Sequence, residues 1–352
     1  MLFIFLFSRL QRLIRHKTKK LYSFARENDT NGKSKQIKAA ELTKTPDGKV
    51  SVSSFASVPL KEGVIGEGIV VDSPLFIAAL NELYDIGRFN KASPIVIGVN
   101  NENVIMRYAT FPKVPQDKMR SVVTMQAQDF IPVPVSELSL DYVVVDETTD
   151  DDDQPALNMI LVGARNTMLV NLIQNFEAAR LEVVDIDSSF LAWCRVAIEE
   201  SPADISTFAF LALTDDVLNF VAVVDKEIKM VRSINVPDRA LVEVKKSFHS
   251  PDELTSMELE TIVDLLQSEL TSSMNYFQMQ TNLMIESVLF TTANLLIQAT
   301  ANEFEQSIAE QLAERSYVPL SVPSFYNQYM TGTFSPKEYA GCISLAKIGL
   351  EA

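Results

Sequence analysis

A chain of 352 residues with 47% hydrophobic and 22% charged residues is long enough for one large or two medium domains, each with its own core. The formal net charge of −15 argues against nucleic acid as the main partner, because phosphate binding needs local positive potential, although it leaves room for a basic patch. Cys194 and Cys342 alone form no disulfide framework or zinc pattern, and His16 and His249 are too few for a histidine-based metal site, features that fit a reducing cytoplasm.

The chain opens MLFIFLFSRL, an apolar run too short to span a bilayer, which needs about 20 residues. Arg9, Arg12, Arg15, Lys17, Lys19 and Lys20 follow the run rather than precede it, the reverse of a secretory signal. Residues 1–33 read as an apolar and basic N-terminal tail, of which residues 1–20 are either an interfacial helix on an anionic membrane surface or a disordered or mis-started segment.

From Ser34 the chain becomes strand-like. Gln36–Leu42 and Lys49–Val58 flank Pro46-Asp47-Gly48, a hairpin signal. Pro74–Asp85 reads as a helix with Leu75, Ala79 and Leu83 on one face, followed by a strand pair at Pro94–Val99 and Val104–Thr110. A helix over Gln116–Phe130 places Met119, Val123, Ala127 and Phe130 on one stripe and ends at the string IPVPVSEL. Strands Leu140–Asp146 and Asn158–Gly163 enclose Asp150–Asp153, which lacks the ligand spacing and turn glycine of a calcium loop and reads as a solvated turn.

Helix Thr167–Arg180, strand Glu182–Ile186 and helix Ser189–Glu200 lead to a boundary at Ser201-Pro202. Strands Thr207–Leu213, Asn219–Asp225 and Lys229–Val236 precede a long helical region, Asp252–Gln280, in which Leu254, Ile262, Leu265, Leu270, Met274 and Phe277 make one core stripe. A strand at 288–292, a helix near 301–315, a short strand at 318–322 and a helix at 338–350 finish the chain. Both halves run from a strand meander into helices, the mark of an internally duplicated α/β fold.

The junction VLFTTANLLIQATANEF, residues 288–304, is the strand-to-helix turn where nucleotide-binding α/β proteins carry glycines. Here it reads Thr291-Thr292-Ala293-Asn294. The chain has 11 glycines and none between Gly163 and Gly332, so its second half cannot build the usual phosphate-cradling loop. Asn31-Gly32-Lys33-Ser34 holds the tail of a P-loop, but Glu27 stands where the motif needs its first glycine. Asp185 with Asp187, and Asp215 with Asp216, are carboxylate pairs of a kind that binds Mg²⁺, although such residues more often cap turns and helix starts. No nucleophile elbow or Ser/Cys–His set supports hydrolase chemistry.

The string MQAQDFIPVPVSELSLDYVVVDE (125–147) resembles the type IV pilus assembly protein PilM family, within the actin-like superfamily and related to the division protein FtsA. LVGARNTMLVNLIQNFEAARLEVVDIDSSFLA (161–192), VDKEIKMVRSI (224–234), SSMNYFQMQ (272–280) and GCISLAKIGL (341–350) extend the resemblance from Ser34 to the last residues. It implies two actin-like (ribonuclease H-like) halves around a cleft: residues 34–92 with 188–203, and residues 204–352. A small α+β subdomain, residues 93–187, would be inserted in the first half. It also implies an inner-membrane-associated location on the cytoplasmic side, other pilus-platform components as partners, and binding of the cytoplasmic tail of a PilN-like membrane protein.

The family's ATP site uses two Asp-x-Gly hairpin loops and a Gly-Gly-Gly turn over adenosine. The first loop falls on Asn31 and Lys33, the second on Thr214 beside Asp215, the adenosine turn on Thr292, Ala293 and Asn294, and a family arginine on Ser272. Every position lacks the residue that carries the chemistry. The resulting expectation is a non-catalytic adaptor with no cofactor, ATP and Mg²⁺ entering only if the divergent loops still bind them. The alternatives are an active ATPase of the pilus machinery and a related membrane tether in division or secretion. Phe130, Ile131, Pro132, Val133 and Pro134 are the candidate partner-binding residues: two prolines stop the helix and leave an apolar rim for an extended peptide, the other reading being a packed helix terminator.

Overall fold

The computed structural model describes residues 20–28, 35–44, 50–99, 101, 103–150, 152–201, 205–213, 217–249, 253–292, 299–322 and 339–351. In chain order these form β1 (Lys20–Asn28), β2 (Lys35–Lys44), β3 (Val50–Pro59), the short pair β4 (Ile65–Gly66) and β5 (Ile69–Val70), α1 (Ser73–Gly87) and β6 (Ile95–Val99). Then come β7 (Val104–Pro112), α2 (Gln116–Gln126), β8 (Leu138–Thr149), β9 (Pro155–Arg165), α3 (Asn166–Ala178), β10 (Val183–Ser188) and α4 (Ser189–Glu200). The second half carries β11 (Thr207–Leu213), β12 (Val217–Val224), β13 (Glu227–Asn235), α5 (Asp238–His249), α6 (Ser256–Thr281), β14 (Ser287–Thr292), α7 (Ala299–Ser316), β15 (Leu320–Ser321) and α8 (Ala340–Glu351).

The duplication lies in the strand order. The first sheet runs β10-β6-β1-β2-β3, and the second contains the run β15-β14-β11-β12-β13. In each unit three consecutive strands pair antiparallel, and the two later strands add in parallel beside the first. Alternation along β12 splits the second sheet's two faces: Leu218, Phe220 and Ala222 enter a core with Ile262, Leu266, Leu270 and Phe277 of α6. Val221 and Val223 face the other way, onto Phe190 and Trp193 of α4 and Cys342, Ile343 and Ala346 of α8.

Two sequence expectations change here. The tail assigned to residues 1–33 contains β1, a central strand paired with β2 on one side and β6 on the other. Its composition continues the basic run before it, and its parallel partner lies some seventy residues away (Tyr22↔Ile95), so nothing local reveals the pairing. The segment expected to leave the first half, 93–187, begins and ends with strands of the first sheet. β6 and β10 pair with one another there, so the excursion proper starts at β7 and ends within α3. Residues 1–19 and the turn 45–49, with its Pro46-Asp47-Gly48, lie outside the described residues.

The excursion has a core of its own. Met119, Val123 and Ala127 from one helical stripe pack with Phe111, Ile131, Leu138, Met159 and Leu161. Its sheet, β7-β9-β8, joins the second half's sheet through one register pair, Arg107↔Arg232, to give an eight-stranded sheet with β8 at its edge. Two cations opposed across a ladder repel, which fits so short a seam. Burial and Arg232 hold the Arg107 guanidinium below its ordinary pKa. Arg232 Nη1 donates to Ser273 Oγ at 2.9 Å. At the far end of β8 and β9, Asp150 closes the turn as expected, its carboxylate accepting from the amides of Asp152 and Gln154.

α6 starts later than the apolar pattern alone suggests, because Thr255 caps it. Thr255 Oγ1 accepts from the Glu258 amide and the Glu258 carboxylate accepts from the Thr255 amide, a capping box. The Thr255 amide and the Lys246 ammonium hold Glu258 down at a pKa of about 2. A group whose folded pKa is depressed stabilises the fold above its unfolded pKa, and that contribution disappears as pH falls through the folded value. Thermal melts of the wild type and Glu258→Gln therefore differ near neutral pH and converge as the pH falls from about 4.5 toward about 2. A gap in melting temperature that persists unchanged near pH 2 contradicts this.

Candidate functional site

The two halves each present a hairpin between their first two strands. In the first half the β1–β2 ladder closes at Asn28↔Lys35, and in the second the β11–β12 ladder closes at Leu213↔Leu218. The candidate positions Asn31, Lys33, Thr214, Asp215, Ala293 and Asn294 lie outside the described residues.

The end of β14 is described, and it is occupied from within. Thr291 and Thr292 are buried there, and Glu305, one turn and a half into α7, is buried against them at 1% exposure. One carboxyl oxygen, Oε1, accepts from the Thr292 amide at 2.7 Å, from Thr292 Oγ1 at 3.0 Å and from Thr291 Oγ1 at 3.2 Å. All three donors at this strand end thus share one buried carboxyl oxygen of the chain itself. Thr291 and Thr292 stand out in the sequence, whereas Glu305 does not.

Ser272 is exposed on α6. Its buried neighbour Ser273 takes the Arg232 guanidinium, so the cationic group on this face of the helix comes from β13. Asp185 and Asp187 sit near the end of β10. Each accepts from the next backbone amide, Ile186 and Ser188, and Asp187 also holds Arg195 at 2.7 Å. Burial, with the neighbouring charge of Asp187, raises the Asp185 pKa above the usual carboxylate range. Asp187 thus ties the end of β10 to α4 through Arg195.

The candidate partner rim is built by an interrupted helix. α2 ends at Gln126 and tightens into a 3-10 turn over Ala127–Asp129; the amides of Phe130 and Ile131 both donate to the Ala127 carbonyl. Pro132 and Pro134 then stop any further turn, and a second 3-10 turn, Val135–Glu137, delivers the chain into β8. The expected stripe therefore breaks at its last member. Ile131 is buried against Leu138 and Met159, while Phe130 is 36% exposed with its ring 5.4 Å from that of Phe111. Val133 is half-buried, and Pro132 and Pro134 are exposed. The five residues make one continuous surface of alternating anchors and exposed apolar groups.

The chain just after this rim is tied to the first half through α3. Asn166, at the start of α3, donates to the Ser136 carbonyl and accepts from Ser139 Oγ, and Arg165 pairs with Glu137 at 3.2 Å. One turn further, Asn171 exchanges two hydrogen bonds with the backbone of Val70 in β5, at 2.9 and 3.0 Å. The rim is thereby tied through α3 to the first half's core, where Phe176 packs edge-on against Phe76 of α1.

Two five-stranded units of identical order, facing one another through α4 and α8 and interrupted by an inserted α/β excursion, define a duplicated actin-like fold. A family model described as type IV pilus assembly protein PilM matches residues 32–215, and the chain belongs to that family. Among solved structures the chain is similar to the PilM-PilN type IV pilus biogenesis complex, with 19% identity and a TM-score of 0.70 over 94% of this chain and 99% of that one. It is also similar to the cytoplasmic domain of EpsL, an inner-membrane component of the type II secretion system of Vibrio cholerae, with 9% identity and a TM-score of 0.43 over 95% of this chain and 96% of that one. Ethanolamine utilization protein EutJ from Carboxydothermus hydrogenoformans gives 10% identity and a TM-score of 0.43, over 95% of this chain and 90% of that one. No curated protein matches. Among the described residues no helix is long and apolar enough to cross a membrane.

Proposed function

We propose that this protein is a non-hydrolysing adaptor of the type IV pilus assembly platform, and that it holds the cytoplasmic tail of a PilN-like inner-membrane protein as an extended peptide. The observation that carries the reading is the Phe130–Pro134 rim. It offers an exposed aromatic, a half-buried valine and two exposed prolines beside the start of β8, whose outer edge pairs with no described strand. An extended peptide on such an edge gains main-chain hydrogen bonds along the strand and side-chain specificity from the apolar rim. The family match and the likeness to the PilM-PilN complex support both the pilus setting and a PilN-type partner.

The absence of hydrolysis is our inference from the frame. The adenosine junction has threonines in place of glycines, and its described donors bond to Glu305. Through its partner the protein works at the cytoplasmic face of the inner membrane, and the apolar and basic residues 1–20 add contact with anionic lipid. Capture of a PilN-type tail peptide by the wild type, and its loss in the rim variant described in the Discussion, tests the reading.

A further inference from the structure

A second concave surface belongs neither to the nucleotide frame nor to the rim. Where the outer end of the β7-β9-β8 sheet meets the base of the second half, a pocket of about 760 Å³ opens between Thr110, Asp146, Asp150, Asn158, Lys229 and Leu283. Its floor is a polar chain: Thr110 Oγ1 donates to Asn158 Oδ1 at 2.7 Å, and Asn158 Nδ2 donates to Asp146 Oδ1 at 2.8 Å. The other oxygen of Asp146 lies 3.4 Å from the Lys229 ammonium, which Glu227 also holds at 2.9 Å. A bulge in β8 between Val144 and Asp146 breaks the strand's alternation just before this carboxylate.

Three features indicate what fits there. Among the lining residues Asp146, Glu147 and Asp150 set three carboxylates against the ammonium of Lys229, so the mouth carries excess negative charge. An exposed apolar side chain, Leu283, lines the otherwise mostly polar wall, and Met279 and Met284 are sequence neighbours of lining residues at 82% and 70% exposure. Finally, the last residues of β8 form one wall, and the exposed Val143 and Val144 lead into it along the free edge. A strand edge, an acidic mouth and exposed methionines together favour an extended segment that alternates cationic and apolar side chains.

We propose that this pocket docks a basic, apolar-bearing extended segment of a partner protein, at a site separate from the Phe130–Pro134 rim. Leu138, where the rim meets β8, and Asp146 are eight residues apart on one strand, about 26 Å at ~3.3 Å per residue. The ammonium of Lys229 does not repel such a ligand, since two carboxylates already share its charge.

Fluorescence anisotropy with two labelled probes tests this, one a short peptide alternating lysine and valine, the other alternating glutamate and valine. The lysine probe is expected to bind saturably and to weaken as salt approaches about 1 M, where the screening length is ~3 Å, while the glutamate probe does not bind. Glu147→Lys combined with Leu283→Lys should weaken the lysine probe about tenfold or more, by the usual effect of reversing a rim charge. Both side chains are exposed, and Leu283→Lys alone carries the test if the double variant loses its cooperative melt. The double variant should still capture a PilN-type tail, and Val133→Asp should still bind the lysine probe, so failure here is distinguishable from failure of the rim. Equal binding of the two probes, or undiminished binding by a folded charge-reversed variant, overturns the proposal. So does wild-type self-association that the same substitutions abolish, which would assign the pocket to a second copy.

Discussion

Glu305→Ala is expected to cost the fold about 2–4 kcal/mol, because it strands the Thr292 amide and two threonine hydroxyls in a buried place. Each donor left without an acceptor costs on the order of 1–3 kcal/mol, and the hydroxyls recover part of this by rotating toward backbone carbonyls. Glu305→Gln keeps a carbonyl oxygen at the same reach and should cost less. Glu310→Ala, on the exposed face of α7, should stay within about 0.5 kcal/mol of wild type. Urea midpoints of the three variants make the comparison. If Glu305→Ala is no worse than Glu310→Ala, the carboxyl does not hold the end of β14, and the junction's donors are free for a ligand.

The second large effect is on partner capture. Phe130→Ala removes the exposed aromatic of the rim, and Val133→Asp puts a carboxylate where an apolar side chain half-buries itself. Truncating an aromatic interface anchor costs about 2 kcal/mol or more, and a charge desolvated without a partner adds to it. Affinity for a PilN-type tail should therefore fall about 100-fold or more in the double variant, read by pulldown and by titration of the peptide. Because Phe130 is partly exposed, its loss should leave a cooperative melt. Ile131→Ala is the contrasting variant: Ile131 is buried at 3% exposure, so its truncation should act on stability, by about 2–5 kcal/mol. Unimpaired capture by the folded double variant would remove the rim from the interface.

Much of the architecture was legible because it is written in short-range pattern. The β2–β3 hairpin, the α6 stripe from Ile262 to Phe277 and the stripe Met119, Val123, Ala127 all follow from period and turn residues, and all are buried where the period places them. What escaped depends on distant pairing. β1 becomes a strand by lying between β2 and β6, and no local feature of KLYSFAREN announces a central position. Glu305 reads in sequence like any helical glutamate of ATANEFEQS, and only the return of α7 across the end of β14 buries it. Phe130 belongs to the α2 stripe by spacing, yet the helix tightens at Ala127 and turns its ring partly outward. That departure made the rim, and the two prolines were its visible sign.

In the function proposed, the chain keeps the actin-like frame to hold a partner and does not turn over nucleotide. Calorimetric titration with Mg-ATP, followed in the same cell by a PilN-type tail peptide, tests this most directly. The expected record shows no heat of nucleotide binding and no released phosphate, then a saturable peptide transition that Mg-ATP does not alter. Micromolar binding of ATP with turnover would contradict the account and restore the cleft as a working site.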